Sequence, residues 1–309
     1  MNSLLTIFLF VAQTHAAGTP TKLALNWKAE PEFGGFYTAK INDDYKKNGI
    51  DAEIMQGGAG TPTVQMIASG QADFGIVSGD EIAIARSNGA DIVAVFAVFQ
   101  KSPYAFLLRE ESSIKDIKSL FQSDSTIAVV KGLPFVTYIE KKMGPVKAKL
   151  VPYAGGITNF LANKNFVQQC FISSEPLLAA KQGVKTKTFL VADTGFNPYT
   201  VVLATNGETL RKKPELVKAM VKSVKAGWEA YLKNSLKTHE FIAKLNPAMT
   251  VEAMAEIQKV EATLIESDET KKNGLGYMSE KRWKELSAQL KDLGLTKKAV
   301  PAKDLFRVQ

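Results

Sequence analysis

Three stretches of the chain concentrate residues able to hold a small molecule, each where an extended segment gives way to a helical one. The first runs Asn26-Trp27-Lys28-Ala29-Glu30-Pro31-Glu32-Phe33-Gly34-Gly35-Phe36-Tyr37 and packs aromatic, carboxylate and glycine residues together. Aromatic faces offer stacking to a planar solute, and a few polar groups fix its orientation. A helix-entry loop whose aromatics close the core is the alternative. The second is Gly57-Gly58-Ala59-Gly60-Thr61-Pro62-Thr63, a turn whose backbone N–H groups are candidates for an anionic or carbonyl group. Its spacing fits neither the Walker phosphate loop nor the dinucleotide fingerprint, and a plain tight turn accounts for it equally well. Ser78-Gly79-Asp80-Glu81 is similar, with Asp80 facing a ligand or capping a helix. The third is Ile172-Ser173-Ser174-Glu175-Pro176, where Glu175 can accept hydrogen bonds from an amine or amide, or cap a helix.

Reactive groups are scarce. The histidines are His15 and His239, and the single cysteine is Cys170. His239 lies among charged residues and reads as a surface side chain; Cys170, beside Val167, Phe171 and Ile172, reads as core. A serine triad, a histidine general base and a zinc site all need histidines or clustered thiols. No catalytic residue, metal ligand or cofactor site is therefore expected.

The elements that must position these stretches alternate. Lys22–Trp27, Ile50–Met55, Asp73–Val77 and Asp91–Phe99 read as strands, with helices between them that end at Gly49, Gly70 and Gly89. After Lys101-Ser102-Pro103 the theme restarts with strand segments from Tyr104, Thr126, Lys147, Val167, Thr188 and Thr200. The last third is helical: Pro214–Leu232, Val251–Glu266 and Ser279–Leu290. Strands spaced by helices form βαβ units and a mainly parallel sheet. One interruption in such a series implies two lobes, with crossings near Ser102-Pro103 and Asn197-Pro198-Tyr199 and Tyr199 at the gap.

At 309 residues, 45% hydrophobic and 23% charged, the chain has ample material for two such lobes. The net charge of +8 is spread as mixed-company lysines, with no basic run and no nucleic-acid-binding motif. No nucleic-acid partner is expected. Leu4–Ala12 is an apolar run too short to span a bilayer, and Thr14-His15-Ala16 supplies small residues for cleavage. Residues 1–16 thus read as a secretory signal peptide. No cysteine follows the cleavage point, so no lipid anchor is expected.

Leu25-Asn26-Trp27, Pro31-Glu32-Phe33-Gly34-Gly35-Phe36-Tyr37, Ala68-Ser69-Gly70-Gln71-Ala72-Asp73-Phe74-Gly75 and Ser174-Glu175-Pro176 resemble the solute-binding proteins for thiamine-pyrimidine precursors. That group includes binders of sulfonate, taurine, nitrate and riboflavin, and the fungal thiamine pyrimidine synthase. The resemblance covers nearly all of the chain after the signal segment. It implies an α/β, two-lobed type II periplasmic binding protein fold, with residues 17–102 plus 203–309 in lobe 1 and 103–202 in lobe 2. It also implies a monomeric periplasmic protein that captures a small organic solute by hinge closure and passes it to an ABC permease. The resemblance implicates Trp27, Tyr37 and Glu175 in the ligand site. With the positional arguments above, the candidate ligand-binding residues are Trp27, Phe33, Tyr37, Gly58, Thr61, Asp80, Glu175 and Tyr199. Pyrimidine precursor, flavin and organic anion are the solute classes, in that order. The fungal relatives are enzymes with a cysteine-rich loop, a histidine and a cofactor-bound lysine. Here the matching region, Gln168-Gln169-Cys170-Phe171, keeps one cysteine, so a binder is expected over an enzyme.

Overall fold

The computed structural model describes residues 18–58, 60–130 and 132–308. The expected signal segment, residues 1–16, lies outside the described residues. Ten strands follow in chain order: β1 Thr19–Ala24, β2 Ile50–Met55, β3 Phe74–Val77, β4 Ile92–Phe99 and β5 Tyr104–Arg109, then β6 Thr126–Val129, β7 Lys149–Pro152, β8 Phe166–Phe171, β9 Thr186–Leu190 and β10 Thr200–Asn206. They form two five-stranded sheets, ordered β2-β1-β3-β10-β4 and β7-β6-β8-β5-β9. The sheets are mixed: β10 runs antiparallel to both its neighbours in the first, and β5 does so in the second. The remaining strands of each sheet share one direction, as crossover helices require.

The chain leaves the first sheet after Phe99 and enters the second at Tyr104; it returns between Leu190 and Thr200. All of β10 is bonded within the first sheet, so the division expected after residue 202 falls inside a strand. The two crossing segments hold each other, because the Ser102 N–H donates to Asn197 Oδ1 at 2.9 Å. One apolar cluster continues from Ile82 and Ala94 through Val191, Phe196 and Tyr199 into Phe106 and Phe135.

β4, IVAVFAVF, is buried along its whole length although it ends the sheet. An open edge of this kind invites pairing with other chains. Here the C-terminal segments cover it, through bridges from Ala94 to Phe306 and from Ala97 to Gly276. Gly276 has φ +84°, and a Cβ there would lie 2.1 Å from the Phe96 ring, so only glycine fits.

The helices relevant to the site are α1 Gly34–Ile41, α2 Gly79–Ser87, α3 Glu175–Lys181, α4 Pro214–Lys233, α5 Leu236–Leu245, α6 Val251–Ile265 and α7 Glu280–Asp292. α1 meets α4 at very short range. A Cβ on Gly227 would stand 2.2 Å from the Gly35 carbonyl oxygen, and Cβ atoms on Gly34 and Gly35 would strike the Tyr231 and Trp228 rings. The glycine pair of the first stretch therefore serves helix packing. Among the described residues, no helix is long and apolar enough to cross a membrane.

Candidate functional site

Between the two sheets, where β3 and β8 end and the crossings pass, lies a cleft whose free space, its open mouth included, is about 680 Å³. The first-sheet side supplies Asn26, Glu32, Ser78, Asp80 and Glu81. The second-sheet side supplies Tyr104, Phe135 and Phe171, with Thr200 and Val201 at the return crossing. One wall is acidic and the other aromatic.

The acidic wall is built from strand-end loops. Ser78 begins α2 as its N-cap, and its backbone N–H donates to Glu81 Oε2 at 2.7 Å, a capping box that fixes the turn. Ser78 Oγ also donates to the buried Asp80 carboxylate. Burial raises the pKa of both Asp80 and Glu81. Glu30 and Glu32 flank Pro31, in a short 3₁₀ turn ahead of α1. The Trp27 indole donates to Glu30 Oε1 at 3.2 Å. Burial nevertheless moves Glu30 from an ordinary 4.5 to about 7, against that bond and with help from the Glu175 charge. Burial holds Glu32 well above the carboxylate range, reinforced by Glu30, Glu261 and Glu175. Glu261, on α6 behind this turn, is 2% exposed, its Oε2 has no hydrogen-bond partner, and burial raises its pKa strongly as well.

On the other side Glu175 opens α3, 8% exposed. It accepts from the Tyr153 hydroxyl and from the Phe171 N–H at 2.9 Å. Burial raises its pKa, and the two donors pull the other way. The aromatic wall is self-braced: Tyr104 meets Phe171 edge-on at 4.9 Å and Phe135 at 5.2 Å between ring centroids. Val201 adopts φ +50°, a region β-branched side chains rarely enter, at the point where the return crossing joins the first sheet.

The residues expected from sequence divide into three sets. Asp80 lines the cleft; Trp27 and Glu175 lie outside its lining, Trp27 bonded to Glu30 and Glu175 near enough to help raise the pKa of Glu30. Phe33 and Tyr37 are both core residues, Tyr37 packing on Phe241 at 5.7 Å, so the stacking expected of Tyr37 is closed to it in this conformation. Gly58 and Thr61 form a self-satisfied turn in which the Gly58 N–H donates to Thr61 Oγ1 at 2.8 Å, and neither lines the cleft. Tyr199 is buried and braces the crossing: its hydroxyl accepts from the Ser279 N–H at 2.9 Å, and the Arg282 guanidinium lies 3.8 Å over its ring. The surface placement of His239 is overturned. It is 1% exposed on α5, with Nε2 at 2.9 Å from the Tyr231 hydroxyl, and burial lowers it to about 4. Cys170 is buried in β8.

Sequence reasoning missed Glu261, Tyr104, Phe135, Tyr153 and the roles of Glu30 and Glu32. Glu261 did leave a trace: Met254, Ile257, Glu261 and Leu264 fall on one face of α6, so a carboxylate interrupts an apolar stripe.

The family model described as NMT1/THI5 like matches residues 30–235. The chain is 23% identical to the riboflavin-binding protein RibY of Chloroflexus aurantiacus over 300 residues, 92% of this chain and 84% of that protein. Its fold is similar to that of the periplasmic aliphatic sulphonate binding protein SsuA from Escherichia coli, with a TM-score of 0.72 at 13% identity over 94% and 92% of the two chains. The desulfurization enzyme DSZB has the same fold, with a TM-score of 0.62 at 14% identity over 94% and 97%. The two-lobed α/β architecture is that of the periplasmic binding proteins.

Proposed function

Because the chain belongs to the NMT1/THI5-like family, we propose that it is the solute-binding component of an ABC importer, exported to the periplasm, and that it captures a small nitrogen heteroaromatic compound of the thiamine-pyrimidine type. The observation that carries this reading is the cleft's division of labour. Carboxyl groups of Glu32, Asp80 and Glu81 face the aromatic ring of Tyr104 and its neighbours, and no lysine or arginine among the described residues lines the space. A flat ring bearing N–H donors satisfies both walls at once.

RibY and SsuA differ in the solutes their names carry, and the lining supports a ring with N–H donors over an anion. A sulfonate would bring negative charge to a wall of acidic groups that no described lysine or arginine faces, so the organic-anion alternative ranks last. A flavin has a flat ring but few N–H donors for this many acceptors, which ranks it second. An enzymatic role, as in DSZB, finds little support in the reactive groups. Cys170 is buried in its strand, and His239, on the inner face of α5, is hydrogen-bonded to Tyr231. Residues 18–102 with 200–308 form one lobe of this reading, and 103–199 the other. The lobes close because only the closed state contacts the solute from both sides. The closed monomer then docks on a membrane permease.

A thermal-shift panel tests the assignment, using the hydroxymethyl-aminopyrimidine half of thiamine, riboflavin and an alkanesulfonate. The expected result is stabilisation by the aminopyrimidine and none by the sulfonate. Stabilisation by the sulfonate alone would refute the assignment.

A further inference from the structure

Thr200 carries a polar group that nothing in the fold uses. It is 3% exposed, it lines the cleft, and its Oγ1 has no hydrogen-bond partner among the described residues. Buried hydroxyls are normally bonded, and one left without a partner costs stability. A second, independent feature sits beside it. In a regular strand neighbouring side chains point to opposite faces, yet Thr200 and Val201, the first two residues of β10, both line the cleft. The backbone of Val201, at φ +50°, accompanies that break in alternation, a conformation a β-branched residue holds only at a cost. The position is also held firmly. The Tyr199 carbonyl accepts from the Gly79 N–H at 2.8 Å, the Asn197 carbonyl accepts from Arg282 Nη2 at 3.0 Å, and Thr200 is in register with Phe99 of β4.

The cleft is richer in acceptors than in donors. Glu32, Asp80 and Glu81 supply carboxyl oxygens, and the Ser78 hydroxyl is already committed to Asp80. No lysine or arginine among the described residues lines the space. A nitrogen heterocycle brings both kinds of group: exocyclic N–H donors for the carboxyls, and in-plane ring atoms that accept. We infer that the Thr200 hydroxyl is the donor that meets a ring nitrogen or ring carbonyl of the solute, and so sets the preference of the cleft for aza-aromatic rings over carbocycles of the same shape. The inference rests on the reading of this cleft as a solute site and adds the donor that orients the ring. An accepting ring atom completes the hydroxyl that the empty cleft leaves unpaired. A carbocycle leaves it buried and unmatched, the arrangement in which a site rejects an analogue most strongly.

Two variants separate the hydroxyl from the shape of the side chain: Thr200→Val keeps the branched shape without the hydroxyl, and Thr200→Ser keeps the hydroxyl. Each is titrated calorimetrically with hydroxymethyl-aminopyrimidine and with its analogues in which one ring nitrogen is replaced by C–H. Wild type and Thr200→Ser should bind the parent at least about tenfold more tightly than one of the analogues, and Thr200→Val should bring that pair to within about threefold. Melted without ligand, Thr200→Val should match wild type or exceed it by roughly 2–4 °C, because it removes an unpaired buried group. A ratio unchanged in Thr200→Val, no such ratio in wild type, or a lower melting temperature for the empty Thr200→Val protein overturns the inference; the last would mean that the hydroxyl is bonded within the fold. If the aminopyrimidine does not bind, the solute assignment falls, and riboflavin, whose ring also carries acceptors, decides the role of Thr200. Thr200→Val should then bind riboflavin about tenfold more weakly than Thr200→Ser, and equal affinity overturns the inference. Binding of neither compound to wild type overturns both readings.

Discussion

Replacing Glu30 with Gln should make the protein's stability less sensitive to pH, and the structure supplies the size of the effect. Burial moves Glu30 from 4.5 to about 7, so the folded state binds a proton that the unfolded chain releases. The stability contributed by that proton is fully present below about pH 4.5 and is lost as pH rises through about 7. At about 1.4 kcal/mol per unit the shift has a ceiling near 3 kcal/mol. Glu30 is half-buried and partly screened, which brings the expectation to about 1–2 kcal/mol. For a chain of this size each kcal/mol moves the melting temperature by roughly 2–4 °C. Calorimetric melts of the wild type and Glu30→Gln from about pH 5 to 8.5 should nearly coincide at the acid end, with the variant pulling ahead towards neutrality and levelling off above about pH 8. A gap that stays constant across the range would refute the assignment of a buried, proton-bearing Glu30.

Further outcomes follow from other contacts. Trp27→Ala removes the half-buried ring and the donor to Glu30, and should weaken solute binding by about 1–2 kcal/mol in a calorimetric titration. Gly227→Ala drives a methyl into the Gly35 carbonyl and should cost about 1–3 kcal/mol or more in urea unfolding. His239 is buried and neutral, lowered to about 4, so its contribution is present above about pH 6.5 and fades as pH falls towards 4. Wild type should therefore lose up to about 3 kcal/mol relative to His239→Gln over that interval, measured by unfolding at successive pH values.

The strand and helix alternation was legible because its signals are local: apolar runs such as β4, and glycines such as Gly49, Gly70 and Gly89, all at positive φ past helix ends. Sheet membership was harder. Nothing within Thr200–Asn206 says that it threads antiparallel between β3 and β4. The first stretch misled for a related reason. Phe33, Gly34, Gly35 and Tyr37 look like a ligand loop until α4 and α5, about two hundred residues later, present Trp228 and Tyr231 to the glycines and Phe241 to Tyr37. His239 misled through its charged neighbours, which occupy the other faces of α5 while Thr238, His239 and Ile242 face inward. The acidic wall depends on separate loops meeting in space, which residue spacing within any one segment does not encode.

The proposed function requires the cleft to take nitrogen-rich aromatic solutes and to reject anions. Native mass spectrometry of protein isolated from the periplasm of expressing cells, followed by release and identification of the bound compound, reads that selection directly. The account predicts a small heteroaromatic compound carrying amino or amidine nitrogens, lost when Glu32 is replaced by Gln. Recovery of a sulfonate or another anion, retained equally by that variant, would contradict it.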